Sequence, residues 1–457
     1  SKVILGDKTL ILNSNINSDY KGTIEGSNIA KLVKAGTNDL TLYANGYGGE
    51  TRIESGSIIA KTNTSFGTSK VTLLNDTALQ FGDINLALGN PIVLDPGNSV
   101  NPGATIDSGG FASTLSGAIT QIGASVMKLI IKGGNILTLG GVTSHQGGTE
   151  VQDNMTLKAG VANVISGDLN LSGQNAIFDL NSYSSTLRRL SGQGTVTNTL
   201  ANSTSTLTLQ PTANNIFSGN IQDGVGKIAV TLNSPGVTQN FSGNNTYSAG
   251  TVVQDITLKL GSAGALPQGR DVTIDVNGTL DLSIYSQTIK KLMGSGTITS
   301  NSGDPTILST LTLTPDADTT FSGNIQDGTG KVATVINSPG VTQTFSGNNT
   351  YSGGTRAQAG TIVASNNSAL GTGVVSLEGG TLQAGQNPLT LGNNIALGNS
   401  SIIDNKGYEL TFSGNFSSST QGILEFIDSS VAQNGTTILS GQSIFSNKMI
   451  TQQTRLT

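Results

Sequence analysis

Short alternating runs of apolar and polar residues follow one another along the whole chain. Representative runs are Val71–Leu73, Thr206–Leu209 and Leu311–Leu313, which place β-branched residues or leucine at every second position. Turn-forming pairs such as Asn75-Asp76 and Asn277-Gly278 interrupt these runs. A period of two is typical of β-strands, and no stretch carries the longer period of an amphipathic helix. The pattern therefore predicts an all-β protein made of many short strands.

The chain also repeats its own sequence at a long, fixed interval. Phe217 and Phe321 each open the segment F-S-G-N-I-Q-D-G, at an interval of 104 residues (321 − 217). Phe241 and Phe345 each open the segment F-S-G-N-N-T-Y-S, at the same interval (345 − 241). Self-similarity at a fixed period is the signature of stacked, quasi-one-dimensional architectures. We therefore expect these four rings to be buried at equivalent positions of the core.

Weaker copies extend the repeat towards both ends of the chain. Each copy contains a glycine-rich step that ends in a threonine, and the four threonines are Thr51, Thr149, Thr251 and Thr355. No change of composition separates the copies, so we expect a single continuous β-helix over residues 1–457. The predicted units are approximately 20–114, 115–216, 217–320 and 321–411, with a partial unit and the C-terminal end at 412–457.

Composition favours a β-solenoid over a sandwich or a propeller. Aromatic residues make up 4% of the chain, which is little material to fill the core between two packed sheets. The recurring residues are small or aliphatic and suit a narrow interior, in which we expect Asn244-Asn245 and Asn348-Asn349 to form side-chain ladders. Parallel strands joined by crossovers are almost always right-handed. The predicted fold class is an all-β, right-handed parallel β-helix with four repeats of about 100 residues plus a partial fifth.

A longer motif runs from Tyr351 to Leu382. It contains, in order, Y-S-G-G-T, G-T-I-V, A-L-G-T-G and G-G-T-L. This motif resembles the passenger-associated transport repeat of bacterial autotransporters, and Lys132–Gly141 and Lys34–Leu42 are similar to the phrase that leads into that repeat. In that family the repeats form a right-handed parallel β-helix that is exported through the outer membrane. The resemblance implies the same fold here, and a location at the bacterial cell surface or outside the cell.

The chain offers little of the chemistry on which enzymes and metal sites depend. It has no cysteine, which excludes thiol chemistry and disulfides. Its one histidine, His145, occupies the position that Tyr47, Tyr247 and Tyr351 hold in the other copies, which predicts a structural role. No metal-ligand spacing occurs in the sequence. We therefore expect no catalytic residue, no metal and no cofactor.

Six charged residues are candidates for a ligand-binding surface. Asp316 and Asp318 form a close acidic pair with the spacing of a strand. Arg188-Arg189 and Lys290-Lys291 are basic pairs at an interval of 102 residues (290 − 188). In an alternating strand one member of each basic pair faces solvent. The pairs are therefore interpreted either as a solvated face or as a basic stripe for acidic glycans or lipids.

These features favour a non-enzymatic, exported surface protein. The chain should act as an adhesin or stalk, with host or bacterial cell-surface molecules, protein or glycan, as its partners. Its net charge of −5 argues against nucleic acid, and no apolar run is long enough to predict a transmembrane segment.

Two other functions remain open at this point. A self-assembling surface fibre or surface-layer subunit would associate end to end through exposed strand edges. Three carboxylates within reach of one cleft would favour a β-helix polysaccharide lyase or glycosidase, since such enzymes depend on clustered carboxylates. Asp316 and Asp318 are the residues where such a site is expected first.

Overall fold

The structure of the chain is a computed structural model, which describes residues 1–418, 422–444, 449–452 and 455–456. They fall into two compact units, Ser1–Val230 and Thr231–Thr457. Both units consist of short β-strands, and the described residues contain no helix. Nothing in this part of the chain could therefore cross a membrane as a helix. The prediction of an all-β chain is confirmed.

The first unit contains the first twenty-nine strands and most of the thirtieth, β30, which ends two residues beyond the unit. In chain order they are β1 Lys2–Ile4, β2 Thr9–Leu12, β3 Ser18–Tyr20, β4 Thr23–Gly26, β5 Lys31–Lys34, β6 Asp39–Leu42, β7 Gly46–Tyr47, β8 Thr51–Ile53, β9 Ser57–Ala60, β10 Val71–Leu74, β11 Ala78–Phe81, β12 Ala87–Leu88, β13 Ile92–Asp95, β14 Gly103–Asp107, β15 Ser113–Leu115, β16 Ile119–Gln121, β17 Lys128–Lys132, β18 Asn135–Leu139, β19 Thr143–Ser144, β20 Thr149–Val151, β21 Met155–Ala159, β22 Asp168–Leu171, β23 Ile177–Asp179, β24 Ser185–Leu187, β25 Arg189–Gly192, β26 Thr195–Thr197, β27 Thr204–Leu209, β28 Asn215–Phe217, β29 Asn220–Ile221 and β30 Lys227–Leu232.

The second unit contains the remaining strands. They are β31 Thr238–Phe241, β32 Thr251–Val253, β33 Thr257–Leu260, β34 Arg270–Ile274, β35 Thr279–Asp281, β36 Gln287–Gly294, β37 Thr297–Thr299, β38 Leu308–Leu313, β39 Thr319–Phe321, β40 Asn324–Ile325, β41 Lys331–Phe345, β42 Thr355–Ala364, β43 Val375–Leu377, β44 Thr381–Ala384, β45 Leu389–Leu391, β46 Ile395–Leu397, β47 Ser401–Asp404, β48 Glu409–Phe412, β49 Phe416–Ser418, β50 Leu424–Ile427, β51 Thr436–Leu439, β52 Ser443–Ile444, β53 Met449–Gln452 and β54 Arg455–Leu456.

In the first unit, every sheet grows by one strand per turn of the chain. One sheet runs in the order β3-β6-β9-β11-β14-β17-β20-β22-β25-β28, and others run β2-β5-β8-β10-β13-β16-β19 and β12-β15-β18-β21-β23-β26-β29. Neighbouring strands are parallel, as where Ile58 pairs with Leu79, 21 residues later, and Ile92 pairs with Ile119, 27 residues later. Parallel sheets whose strands come from successive turns of about this length define a β-solenoid.

The second unit has the same parallel construction with longer strands. One sheet runs β31-β33-β35-β37-β40, and another runs β45-β48-β51-β54. Strand β41 pairs with β38 through its first half and with β39 through its second half. Strand β42 divides in the same way between β43 and β44. Each of these two long strands therefore pairs with two shorter strands of a neighbouring turn.

The core consists of columns in which a buried residue of one turn lies on a buried residue of the next. In the first unit one such column is formed by Leu79, Ile106, Ile131, Val151 and Leu171. In the second unit another is formed by Leu258, Leu280, Ile298 and Ile325. Because side chains alternate across a strand, the intervening residues point outwards and form matching columns on the surface.

The prediction about the repeated phenylalanines is confirmed. Phe217, Phe241, Phe321 and Phe345 are all fully buried. Phe321 pairs directly with Phe345, so these two rings, which come from successive turns of one copy, occupy one column of the second unit. The handedness of the solenoid, the interval of about 100 residues and the continuity over residues 1–457 stay predictions.

Candidate functional site

A buried aromatic–threonine pair lies inside three of the repeat copies. A tyrosine hydroxyl contacts the hydroxyl of the threonine four residues later, and the oxygen–oxygen distances are 2.5 Å for Tyr47–Thr51, 2.7 Å for Tyr247–Thr251 and 2.6 Å for Tyr351–Thr355. In the last copy the Thr334 hydroxyl also lies 3.0 Å from the Tyr351 oxygen. Burial penalises the phenolate and raises the pKa of Tyr351 to about 12. These pairs are structural, because water does not reach them.

His145 occupies the same slot in the second copy. Its Nε2 atom lies 3.3 Å from the Thr149 hydroxyl, and the side chain is 7% exposed. Burial lowers the pKa of His145, and a backbone contact with Gly148 only partly opposes this effect. The imidazole is therefore held neutral inside the solenoid, in a position from which it cannot touch a ligand in solvent.

A buried asparagine stands two residues before each of the three tyrosines. Asn349 accepts a hydrogen bond from the Ile325 amide at 2.7 Å and donates one to the Ala369 carbonyl at 2.6 Å, so it joins the turns before and after its own. Asn45 joins Ile24 and Ser65 in the same way. Asn349 is thus bonded to the backbone of two turns, and the ladder of stacked asparagines expected from the sequence is wrong for this residue.

The acidic pair of the second unit is divided between two different contacts. The Asp316 carboxylate lies 2.6 Å from Lys290 Nζ and 3.1 Å from Lys291 Nζ, and these lysines hold the pKa of Asp316 down at about 2. Asp318 instead accepts a hydrogen bond from the Thr342 amide at 2.8 Å. The structure therefore brings Asp316 together with both lysines, while Asp318 bonds to the backbone of a different strand.

Both members of each basic pair point outwards, which corrects the expectation that only one would. In β36 the buried residues are Ile289 and Leu292, so Lys290 and Lys291 both fall outside, at a shift of register against β34. Arg188 and Arg189 stand where the chain passes from β24 to β25, between buried Leu187 and Leu190. A corner or bulge adds one outward residue and breaks the simple alternation.

Arg188 and Arg189 have different partners. The Arg188 Nε atom donates to the Asp168 carboxylate at 2.7 Å. The Arg189 Nε atom donates to Oδ1 of Asn215, whose own side chain is almost completely buried. No further hydrogen bond of the Arg189 guanidinium is found among the described residues. The exposed Arg189 side chain is thus anchored through Nε to a buried asparagine.

Arg189 borders a polar groove on the outer face of the first unit. Two adjoining columns of outward residues cross β17, β20, β22 and β25, and the register places Lys128, Gly148, Asp168 and Arg189 in one column and Ile130, Glu150, Asn170 and Ser191 in the other. Gly148 leaves a gap between Lys128 and Asp168. The gap is a depression of about 280 Å³, lined by Lys128, Gly147, Gly148, Thr149, Glu150, Asp168, Asn170, Arg189 and Ser191.

The backbone at Gly148 requires glycine. Its φ of +75° belongs to the left-handed region, and a Cβ atom there would lie 3.0 Å from Asp168 Cβ. In the first copy the equivalent residue is Glu50, whose carboxylate contacts Lys31, Lys70 and the Thr72 hydroxyl. The position before the threonine therefore carries a side chain in the first copy, whereas in the second copy it has none and leaves a space.

A second depression adjoins the first at Lys128. It encloses about 390 Å³ and is lined by Asp76, Thr77, Ala78, Asn101, Pro102, Gly103, Thr105, Lys128, Ile130 and Lys132. Gly103 pairs with Lys128, so a second glycine leaves the space on this side of the lysine open. We call the two depressions together the Gly148 groove.

Ion pairs and hydrogen bonds hold the side chains of the Gly148 groove in place. Lys128 Nζ lies 3.0 Å from the Glu150 carboxylate, which is 18% exposed. The Ser191 hydroxyl donates to Asn170 Oδ1 at 3.3 Å. The groove therefore presents ordered donors and acceptors, which is the arrangement that hydrogen-bonding ligands require.

Three carboxylates do not meet in one place in the Gly148 groove. Glu150 and Asp168 lie on neighbouring strands, but Asp76 lies beside β11, four strands from β22. At about 4.8 Å per strand this amounts to about 19 Å. The described residues also contain no cluster of three or more histidine, cysteine or carboxylate side chains that could hold a metal.

The sequence identified only one residue of the groove, Arg189. Lys128, Glu150 and Asp168 carry no motif, because they come together through the pairing of turns that are 18 to 22 residues apart in sequence (168 − 150 and 150 − 128). The one feature of the sequence that could have pointed to the groove is Gly148, which stands where the first copy has Glu50.

Comparison with known families gives one result. The family model described as passenger-associated-transport-repeat matches four segments, at residues 32–60, 129–153, 238–260 and 342–364. The segments begin 97, 109 and 104 residues apart (129 − 32, 238 − 129 and 342 − 238), and each contains one of the buried aromatic–threonine pairs or the strand beside it. No curated protein and no solved structure matches the chain. The resemblance read from the sequence is confirmed.

Proposed function

From the four passenger-associated transport repeats that this chain carries, as an autotransporter passenger does, we propose that it works at the bacterial surface as a stalk and adhesive surface. The repeat family implies export to the cell surface or the extracellular space. The adhesive role is supported by the exterior of the two units, where outward columns of Ser, Thr, Asn and paired charges repeat from turn to turn. Repetition of shallow polar contacts along a surface supplies avidity without a deep pocket.

The observation that carries the proposal is the agreement between family and fold. A chain with 11% charged residues and no cysteine forms a solenoid whose strands satisfy one another turn by turn. Such a chain needs neither disulfides nor a large aromatic core to be ordered outside the cell. Its interior is fully used for packing, which leaves the outer faces for contact with partners.

An adhesion assay tests the proposal. Bacteria that express the full-length protein should bind host cells or sister cells, and a strain without the gene should lose that binding. Purified chain added in solution should compete with the expressing strain. Equal adhesion by the two strains to every cell type, with no competition, would contradict the adhesive role.

A further inference from the structure

The Gly148 groove is electrically balanced, although the whole chain carries a net charge of −5. Its charged residues are the cations Lys128, Lys132 and Arg189 and the anions Asp76, Glu150 and Asp168. A site with equal numbers of both signs creates no net field that would concentrate a polyanion or a polycation. Its ligand must therefore be recognised by hydrogen bonds and shape.

We propose that the Gly148 groove binds a linear, uncharged glycan that lies across the row of parallel strands. The proposal rests on the surface location argued above, since an exported chain meets such polymers on cells. A sugar hydroxyl both donates and accepts hydrogen bonds. The groove sets the acceptor Asp168 beside the donor Arg189, with which it pairs across two neighbouring strands, so one hydroxyl can be bound from both sides.

Arg189 is the residue best placed to donate hydrogen bonds to a sugar hydroxyl. Its Nε atom is held by Asn215 at 2.9 Å, and Asn215 is anchored in turn by a bond from its Nδ2 to the Leu190 carbonyl at 2.5 Å. Asn215 is 4% exposed, so the arginine is supported from inside the solenoid. A guanidinium that is already oriented loses less conformational entropy when its remaining donors bind a ligand.

The dimensions of the groove fit a chain better than a single sugar. The lining residues come from six successive strands, β11, β14, β17, β20, β22 and β25. Five spacings of about 4.8 Å give a length of about 24 Å, which is enough for several sugar rings. Ile130 and Ala78 add apolar surface along the same line, against which the C–H faces of the rings can pack.

The experiment measures binding of the full chain to polysaccharides in affinity gels and by fluorescence anisotropy. The probes are two uncharged linear polymers, a β-glucan and a mannan, with polygalacturonate as the acidic arm and chitosan as the basic arm. At least one uncharged polymer should bind, with little dependence on salt. Binding only to the acidic or the basic polymer, or to none, would overturn the proposal.

Variants then locate the site. Arg189→Met combined with Asn170→Leu should weaken binding about tenfold or more, because it removes a charged and a neutral hydrogen bond. The matched control is Lys291→Met, at the repeat-equivalent position of the second unit, which should bind as the unchanged chain does. Arg189 is exposed and Asn170 and Lys291 are half-buried, so none of the changes falls in the core, and an unchanged thermal midpoint will confirm that each variant folds. Equal binding by the double variant and the control would overturn the proposal.

Two further readouts separate this proposal from the function on which it rests. If the double variant adheres to cells normally and no polymer binds, the groove assignment is wrong and the adhesive role stands. If the chain fails in both assays, both are wrong. The bound polymer should also keep its length after incubation, and shortening of the polymer would overturn the binding role in favour of cleavage.

Discussion

Gly148 of the first unit and Gly354 of the second stand at the same step of the repeat, yet they have different surroundings on both faces of the solenoid. Outside, Gly148 adjoins the charged Asp168, whereas Gly354 adjoins Val374, which is 45% exposed. Inside, the aromatic slot holds His145 beside the first glycine and Tyr351 beside the second. Both glycines have positive φ, +75° and +91°.

The difference separates what the repeat specifies from what it leaves open. The threonine and its buried partner recur in all four copies, and the glycine before the threonine recurs in three of them, because the turn and the packing of the core depend on them. The outward residues are free of that constraint, so one copy can present a charged groove and another an exposed valine. The outer columns of the first unit are therefore the candidates for binding, while the recurring motif contributes to stability.

The largest effect is expected from the core that both regions share. Phe345→Ala should lower the free energy of unfolding by about 3–5 kcal/mol, since it removes a fully buried ring that lies on Phe321. Urea denaturation followed by circular dichroism measures the change. The control is Val276→Ala, at a position 71% exposed, which should stay within about 0.5 kcal/mol. A loss below about 1 kcal/mol for Phe345→Ala would contradict the column described for the core.

Replacing Tyr351 by histidine, the residue that His145 supplies at the equivalent position, should have the next largest effect. Tyr351→His shortens a fully buried side chain and weakens its contacts with Thr334 and Thr355, at an expected cost of about 2–4 kcal/mol at pH 7. Tyr351→Phe keeps the ring and loses only the hydroxyl, so it should cost about 1–3 kcal/mol. Should both variants prove as stable as the unchanged chain, the hydroxyl network would have no role in stability.

The reverse change, His145→Tyr, tests how the contribution of His145 to stability depends on pH. Because burial lowers the pKa of His145, the unfolded chain takes up a proton at this residue more readily than the folded chain. This contribution is fully present above the ordinary histidine pKa of about 6.5 and decreases as the pH falls towards the lowered value. His145→Tyr should therefore reduce the loss of stability between pH 7 and pH 5. An equal loss in both proteins would show that His145 is not buried as described.

The contribution of the buried tyrosines to stability should change at high pH instead. The pKa of Tyr351 is raised to about 12, so an unfolded tyrosine ionises first as the pH passes about 10. The contribution of Tyr351 to stability is present below that pH and is lost between about 10 and 12. Denaturation curves of the unchanged chain and of Tyr351→Phe should converge over this range.

The smallest effect is expected at Asp316. Asp316→Asn removes its contacts with Lys290 and Lys291, but the Asp316 side chain is 53% exposed and its ion pairs are screened by water and salt. Any loss of stability should shrink as salt is added. In the unchanged chain the contribution should disappear as the pH falls from about 4 to about 2, because the unfolded carboxyl takes up its proton near pH 4 and the folded one, with its lowered pKa, only near pH 2. A loss as large as that of Tyr351→His would contradict the description of an exposed pair.

Much of the fold was predictable because a solenoid is specified by short-range patterns. Alternation gave the strands, the 104-residue interval gave the burial of Phe321 and Phe345, and the substitution of His145 for a tyrosine gave its buried slot. A similar interval of 102 residues linked Arg189 to Lys291 (291 − 189). These inferences needed only the period of the side chains and the knowledge that equivalent residues stack.

The candidate site was less predictable because it depends on lateral register. Lys128, Glu150 and Asp168 meet only when three turns of different length are set side by side. The outward direction of both Lys290 and Lys291 depends on a bulge, which alternation does not contain. Asp316 and Asp318 are close in sequence, but a turn of the backbone directs them to different neighbours.

The central claim is that this chain lies outside the bacterial cell, and the absence of cysteine makes the claim directly testable. Val276→Cys introduces one thiol at a position 71% exposed, and Leu313→Cys places one at a fully buried position as the control. Intact bacteria expressing each full-length variant are treated with a maleimide reagent that cannot cross membranes. If the chain lies outside the cell, the Val276→Cys protein will be labelled on intact cells, and the Leu313→Cys protein will not be labelled until it is unfolded. Labelling of Val276→Cys only after the cells are broken open would contradict it.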